Sequence, residues 1–357
     1  CILILSASEK KEFHYDDVNN LTEWIESRKC ESGMILIEEI NKLEWNFFLG
    51  NKAKLVKKLD LSPLQLRDIS KRIYQGMVTG ADKIFLFKNW ERKPDNVTSV
   101  LSMELNDWVL IENGLLKSVV RSGNIGRYWA KPTALVLYPY KLMDSSTPLL
   151  SHSEFAKLYP LGWNYLNRMK KFLESREKNS FKDSGWYRYS RNQNLGLWER
   201  QKLMIPYMVS RLSTYFDIND SFYFINVTTG GYGLLVNDNV DYRYLCGLLN
   251  SKLLNFYFMH ISTTFHGGYF AAGKQFIDKL PIQLLDFTNP AEVKQHDHMV
   301  ALVERMLALH KRNPQTPFEQ EQLQREIAAT DAQIDQLVYE LYGLTDEQIR
   351  IVEGEGN

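Results

Sequence analysis

Residues 242–262, YRYLCGLLNSKLLNFYFMHIS, are apolar on most faces of a helical projection. An ordinary surface helix carries a single apolar stripe. This segment therefore needs neighbours on nearly every side. It predicts a helix at the centre of a core, with the rest of the chain packed around it. It does not predict a membrane span, because no apolar run approaches the ~20 uninterrupted residues a bilayer requires.

Short β-branched and aromatic runs supply the partners. Ile2–Leu5, Met34–Ile37, KIFLF (83–87) and PTALVLYPY (132–140) read as strands, with a polar helix over LTEWIESRKC (21–30). SFYFINVTTGGYGLLV (221–236) reads as a hairpin turning at Gly230–Gly231. SPLQLRDISKRI (62–73) predicts a helix with Ser62 as N-cap and Pro63 at its first position, ending near Gln75–Gly76. In 163–178, Trp163, Leu166, Met169 and Leu173 recur at helical steps among basic residues, so a second helix has a cationic outer face. FIDKLPI (276–282) returns to a strand-like end.

The last part of the chain changes character. HMVALVERMLALHKR and FEQEQLQREIAATDAQIDQLVYELYGL are long helical patterns broken at NPQTP. In the second, Leu323, Ile327, Thr330, Ile334, Leu337 and Leu341 step 4-3-4-3-4, the spacing of a coiled-coil seam. Two such helices joined by a proline-bearing turn form an antiparallel hairpin. The fold class is therefore α+β: a mixed-sheet body followed by a helical hairpin. At 357 residues the chain has room for two or three units. The expected divisions are 1–50, 51–290 and 291–357.

Charge separates these parts. The chain has 43 basic and 43 acidic residues, which excludes a uniformly basic nucleic-acid coat. Residues 165–212 hold eleven Lys and Arg against four Asp and Glu, while 290–357 hold six against thirteen. A basic middle and an acidic end suggest that one part faces a polyanion. With 19 Tyr and 8 Trp, many aromatic rings are expected near the surface, since their polar tips resist burial. The three cysteines lack metal-ligand spacing and suit a reducing cytoplasm. CILILSAS at the start reads as an interior strand of a longer polypeptide, not as a signal peptide.

The loop in ISKRIYQGMVTGADKIFLF (69–87) resembles a phosphate cradle without matching one. Gly76 and Gly80 are separated by three residues where four are needed, and Lys83 comes two residues late. The expected helix-to-strand order is also the reverse of a phosphate loop. Pro94–Asp95 with Glu104 has the outline of a metal-dependent nuclease site but lacks its lysine. His296 with His298 lack the further ligands of a metal site, while His260 with His266 leave a metal or general-base role open against the commoner surface-loop histidine. The basic–aromatic stretch carries more. Arg188, Arg191, Arg200 and Lys202 alternate with Trp186, Tyr187, Tyr189 and Trp198, and Asn192, Gln193 and Asn194 lie between them. Lys and Arg neutralise phosphates, and Arg, Asn and Gln read base edges. A plain solvated cationic surface is the alternative.

Taken in order, several motifs resemble the C-terminal specificity (target-recognition) domain of Taq-type adenine-N6 DNA methyltransferases and of fused type II restriction–modification enzymes. DISKRIYQGMVTGADKIFLF is similar to that family's opening turn, through Gly76, Thr79 and Gly80. SGNIGRYWAKPTALVLYPY, WNYLNRMKKFLESREK and LWERQKLMIP follow in the family's order. YLCGLLNSKLLNFYF and GGYFAAGKQFIDKLPI carry the most specific likeness, through Leu249-Asn250-Ser251, Lys274 and Leu280-Pro281-Ile282. TDAQIDQLVYELYGLTDEQIRIVE resembles the family's close.

That resemblance implies a sequence-specific reader of double-stranded DNA with no catalytic residues and no cofactor of its own. The implied DNA contacts are Thr79, Gly80, Lys83, Arg188, Arg191, Asn192, Gln193, Arg200, Lys202, His266, Lys274 and Gln275. The Asn/Asp-Pro-Pro-Tyr/Phe motif and the Gly-rich loop of the methyltransferase half do not occur in this sequence. Residues 1–50 are implied to be the end of that half. It would be the partner that flips the adenine and uses S-adenosylmethionine, with magnesium required if a restriction endonuclease is fused. A cytoplasmic protein with no membrane partner is implied. Two other readings stay open: a self-contained magnesium-dependent nuclease using Asp95 and Glu104, and a protein-interaction scaffold built on the helical tail.

Overall fold

The computed structural model describes residues 11–18, 21–39, 47, 49–143, 146–219 and 222–354. The apolar segment at 242–262 is indeed central, but it is two helices, Tyr242–Asn250 and Lys252–Ile261. Ser251 makes the break. Its backbone is extended, and its hydroxyl accepts from the Leu254 amide as an N-cap. Every residue from Tyr244 to Asn250 is buried.

The tail packs against these helices. Met299, Val303 and Met306 of helix Pro290–His310 share their core, as do Ile334 and Val338 of helix Pro317–Leu341. The expected seam holds: Leu323, Thr330, Ile334 and Leu337 are buried, with Ile327 and Leu341 partly so. Pro317 opens the second helix, and Thr316 and Glu319 close a reciprocal capping box. The tail's apolar face thus covers the body's core.

Two four-stranded sheets are the largest of six sheets among the described residues, giving the α+β class. One is antiparallel, in the order Tyr215–Asp217, Lys202–Pro206, Gly231–Val236, Ser70–Gln75. The other is mixed: Tyr223–Phe224 runs parallel to Leu116–Val120, followed by Ala134–Leu137 and Leu86–Phe87. A second apolar core lies here, containing Phe85, Phe87, Leu166, Tyr189 and Trp198. Strand Glu31–Leu36 pairs with Glu12–Asp17, and helix Leu21–Ser27 connects them. The expected strand at Ile2–Leu5 lies outside the described residues.

Several local expectations change. The 62–75 helix shrinks to Leu66–Ile69, capped by Gln65, and Ser70–Gln75 is a strand. Pairing with the 231–236 strand satisfies its backbone. Tyr74 also buries its ring against Trp198 and donates to the Leu197 carbonyl at 3.0 Å. Those tertiary gains outweigh local helix propensity. KIFLF is a single helical turn, Asp82–Phe85, before a two-residue strand. FIDKLPI contains the end of helix Lys274–Ile277 and only an isolated bridge at Pro281. Residues 223–224 and 231–236 belong to different sheets, so no hairpin forms at Gly230–Gly231. The amphipathic helix breaks at Met169 into Pro160–Arg168 and Lys170–Asn179, with Leu166, Met169 and Leu173 buried as expected. Among the described residues no helix is long and apolar enough to cross a membrane.

Candidate nucleic-acid interface

The 76–83 loop runs along the ends of both sheets. Gly76 donates to the Gly231 carbonyl at 3.1 Å, Met77 to that of Phe224 at 2.8 Å, and Asn226 to that of Met77 at 2.8 Å. A Cβ on Gly76 would lie 2.5 Å from the Asn226 oxygen, so this close approach requires glycine. Gly80 is left-handed at φ +69°, and a Cβ there would meet Ser190 Oγ at 1.7 Å. Thr79, expected to reach DNA, is instead fully buried. Its hydroxyl donates to the Asp82 carboxylate and accepts from the Ala81 amide at 3.1 Å. It shapes the turn, and Lys83 is the exposed cation that the turn presents.

A residue outside the expected set holds this region together. Arg176 is 7% exposed and donates to four carbonyls. The partners are Leu173 at 2.9 Å, Thr79 at 3.1 Å, Trp186 at 2.8 Å and Arg188 at 2.9 Å. Its guanidinium lies 4.0 Å from the centre of the Phe181 ring. Burial pushes it down to about 10, so it remains charged at neutral pH. Ser190 and Arg191 then donate to the Thr79 and Val78 carbonyls at 3.1 and 3.2 Å. The 78–80 turn and the 186–191 segment are therefore one platform. The sequence did contain a sign of this. Leu166, Met169, Leu173 and Arg176 step 3-4-3, so Arg176 continues the inward stripe and is not one of the outer cations.

Directly after it, Glu177, Lys178 and Asn179 all have positive φ, at +46°, +61° and +68°. Three consecutive non-glycine residues in this region store strain, and such strain concentrates at functional sites. Glu177 pairs with Arg191 at 3.1 Å, with the Arg191 side chain 57% exposed. Asn192 and Gln193 are also exposed, and Tyr140 Oη donates to Asn192 Oδ1 at 3.1 Å. Arg188 pairs with Asp183 at 2.5 Å and lies over Phe181. The Arg188 guanidinium holds the Asp183 carboxyl below its usual range.

Other expected features resolve differently. Trp186, Tyr187, Tyr189 and Trp198 are core residues, not surface rings. Tyr189 donates its hydroxyl to the Leu137 carbonyl at 2.6 Å, and Tyr187 to that of Leu150, which removes the cost of burying those two tips. Lys202, expected at the DNA, is 0% exposed on an inner strand. Its ammonium pairs with Asp217 at 2.5 Å and donates to the Trp198 carbonyl at 2.6 Å. This cation is structural. Arg200 is exposed after the short turn Leu195–Glu199, away from the platform and in the electrostatic reach of Tyr74 and Tyr242.

His266, Lys274 and Gln275, all exposed, lie at the other end of the same edge. Tyr207 donates to Gly230 at 3.0 Å, and Ala272 to Tyr207 at 2.7 Å. Met208–Val209 pairs with Phe270–Ala271, and Tyr269–Ala271 with Thr264–Phe265. Backbone bonds thus run unbroken from Gly76 through 230–231, 206–209 and 270–272 to 264–265. Four inter-strand spacings make a rim of about 19 Å. A B-DNA major groove is ~12 Å wide, so the rim can span the groove and reach a flanking backbone. Lys274 itself pairs with Asp278.

The remaining candidates separate in space. Asp95 and Glu104 flank opposite ends of strand Val97–Ser102, which alone spans about 16 Å. They cannot share one metal ion. His296 packs between Tyr244 and Phe287, at 5.4 and 4.9 Å, whereas His298 is exposed.

Comparison with known proteins adds to this geometry. Residues 151–282 match the model of the TaqI-like C-terminal specificity domain. The chain is 24% identical over 365 aligned residues to the "Type II restriction enzyme and methyltransferase RM.Eco57I" of Escherichia coli, covering 97% of this chain and 36% of that protein. It therefore spans about a third of that relative's length. Its fold is also similar to that of the type IIL restriction-modification enzyme MmeI, solved in complex with DNA. The TM-score is 0.55 at 14% identity, over 97% of this chain and 41% of the other.

Proposed function

We propose, from the premise that residues 151–282 are a TaqI-like C-terminal specificity domain, that this chain reads a sequence in double-stranded DNA for a longer restriction–modification protein. The observation that carries the reading is the platform around Arg176. It ties the segment that carries the exposed Arg191, Asn192 and Gln193 to the 78–80 turn, which precedes the exposed Lys83 and follows the Gly76 end of the rim. Lys83 and Arg188 supply phosphate contacts that set register, while Arg191, Asn192 and Gln193 supply the donors and acceptors that distinguish base pairs. His266, Lys274 and Gln275 contact the duplex at the far end of the rim.

Chemistry on the DNA belongs elsewhere in this proposal. A methyltransferase domain of the longer protein flips the adenine and methylates its N6 with S-adenosylmethionine. The glycines at 231 and 233 leave no room for a side chain: a Cβ on Gly231 would meet the Ile205 oxygen at 2.1 Å, and one on Gly233 the Tyr74 ring at 2.4 Å. They serve close strand packing. A magnesium-dependent nuclease step, if the longer protein has one, needs carboxylates other than Asp95 and Glu104. A cytoplasmic location belongs to the same proposal.

The test is a duplex titration by fluorescence anisotropy, first with a randomised library and then with the selected sequence. The expected result is binding that weakens steeply with salt and prefers the selected duplex. Absence of duplex binding at low salt would overturn the reading.

A further inference from the structure

We propose that Phe265 and Tyr269 form an aromatic wedge that stacks on an unstacked base of duplex DNA, a role that rests on the DNA-reading function above. They sit directly opposite each other in the hairpin Thr264–Phe265/Tyr269–Ala271, so their side chains share one face. Phe265 is 39% and Tyr269 45% exposed, with the Tyr207 ring 6.5 Å from that of Phe265 on one side. The next pair, Thr264 and Phe270, points the other way, and Phe270 is 9% exposed within the main core. Alternation thus anchors the hairpin through Phe270 and leaves the two flat rings outside.

The hairpin is held at its base and narrow at its tip. Ala271 donates to the Thr263 carbonyl at 3.0 Å, and the Ser262 hydroxyl to that of Ala271 at 2.7 Å. The tip, His266-Gly267-Gly268, has two left-handed glycines at φ +83° and +78°, and a Cβ at Gly268 would meet nothing within 4 Å. The loop projects into open space at the end of the rim, continuous with the candidate DNA contacts and beside His266, Lys274 and Gln275.

Two exposed rings at a polar, partly cationic rim suit a base better than an apolar protein surface. A base offers a π-face for stacking and lies between phosphates. Apolar and aromatic wedges of this kind enter at base steps that are already unstacked or easily opened. Such a step arises where a target nucleotide leaves the helix.

The experiment compares this chain on a fluorescein-labelled mixed-sequence duplex and on the same duplex with one abasic position, where the cost of opening the stack is prepaid. The wild type is expected to bind the abasic duplex about tenfold more tightly. Phe265→Ala with Tyr269→Ala is expected to bind the two duplexes equally, and Phe265→Trp to keep the preference. A double variant that retains the wild-type preference overturns the wedge. So does a wild type that binds both duplexes equally. If the wild type binds neither, the DNA-reading function fails, and the wedge with it. Loss of self-association in the double variant, with the abasic preference unchanged, would assign the face to a protein contact and also overturn the wedge.

Discussion

The buried guanidinium of Arg176 donates from Nη1 to the carbonyl of Thr79 at 3.1 Å, joining two segments 97 residues apart. Its remaining bonds hold the carbonyls of Trp186 and Arg188, so one side chain fixes both walls of the candidate reading surface. No carboxylate pairs with it among its bonded partners. Its charge is met by carbonyl dipoles and by the face of the Phe181 ring.

Replacing Arg176 by Met leaves those carbonyls without their donor. The expected loss is about 2–5 kcal/mol of stability, read from the urea midpoint. Duplex affinity should fall as well, although Arg176 touches no DNA. An unchanged midpoint with unchanged binding would remove Arg176 from this role.

Arg191 is expected to read a base. Arg191→Ala should weaken binding by about 1–3 kcal/mol and relax preference at one position. Glu177 holds the same guanidinium at 3.1 Å, and in the proposed complex it would compete with the DNA for it. Glu177→Gln should therefore tighten binding roughly two- to fivefold. Opposite signs for the two variants in one titration are the signature; the same sign would contradict the competition.

Lys83, exposed on its turn, is expected to contact phosphate. Lys83→Ala should weaken binding evenly across sequences and reduce the salt slope by about one. A change in sequence preference would place Lys83 at a base instead.

Lys202 and Asp217 form an ion pair with each side chain only 1% exposed. Lys202→Met alone should destabilise by about 3–5 kcal/mol, because it strands a buried carboxylate. Lys202→Met with Asp217→Leu should recover much of that loss, and chemical denaturation of the three proteins measures the difference. Full binding at the residual folded fraction would agree with a structural lysine.

Asp335 gives a pH dependence. Burial raises its carboxyl to about 6, against the lowering influence of the Lys252 amide, Arg127 and Arg211, while Asp331 adds to the rise. A raised carboxyl binds its proton more tightly in the folded state. Its contribution to stability is therefore full below pH 4 and is lost as pH rises through about 6. Relative to Asp335→Asn, the wild type should lose about 2–3 kcal/mol between pH 4 and 7. A constant difference between the two proteins across that range would contradict the assignment.

Sequence periodicity located part of the core. Most of the apolar 242–262 segment, most of the 4-3-4-3-4 seam and the stripe Leu166–Met169–Leu173 are buried, although the first and the last each run across a break between two helices. The resemblance through Leu249-Asn250-Ser251, Lys274 and Leu280-Pro281-Ile282 lies within the residues, 151–282, that match the specificity-domain model. Composition also located the cationic region.

Which cations face outward was decided only by tertiary structure. Lys202 and Arg191 look alike in the sequence, yet one lies on a strand enclosed by neighbours on both edges and the other at an isolated β-bridge to Val78. Burial of a charge depends on whether distant partners satisfy it: Asp217 for Lys202, four carbonyls for Arg176. The strand at 70–75 is a further instance, since its conformation follows from pairing with residues more than 150 positions away. Local sequence sets the period of a helix or strand. Long-range backbone pairing and the cost of an unsatisfied buried charge set which side chains remain exposed.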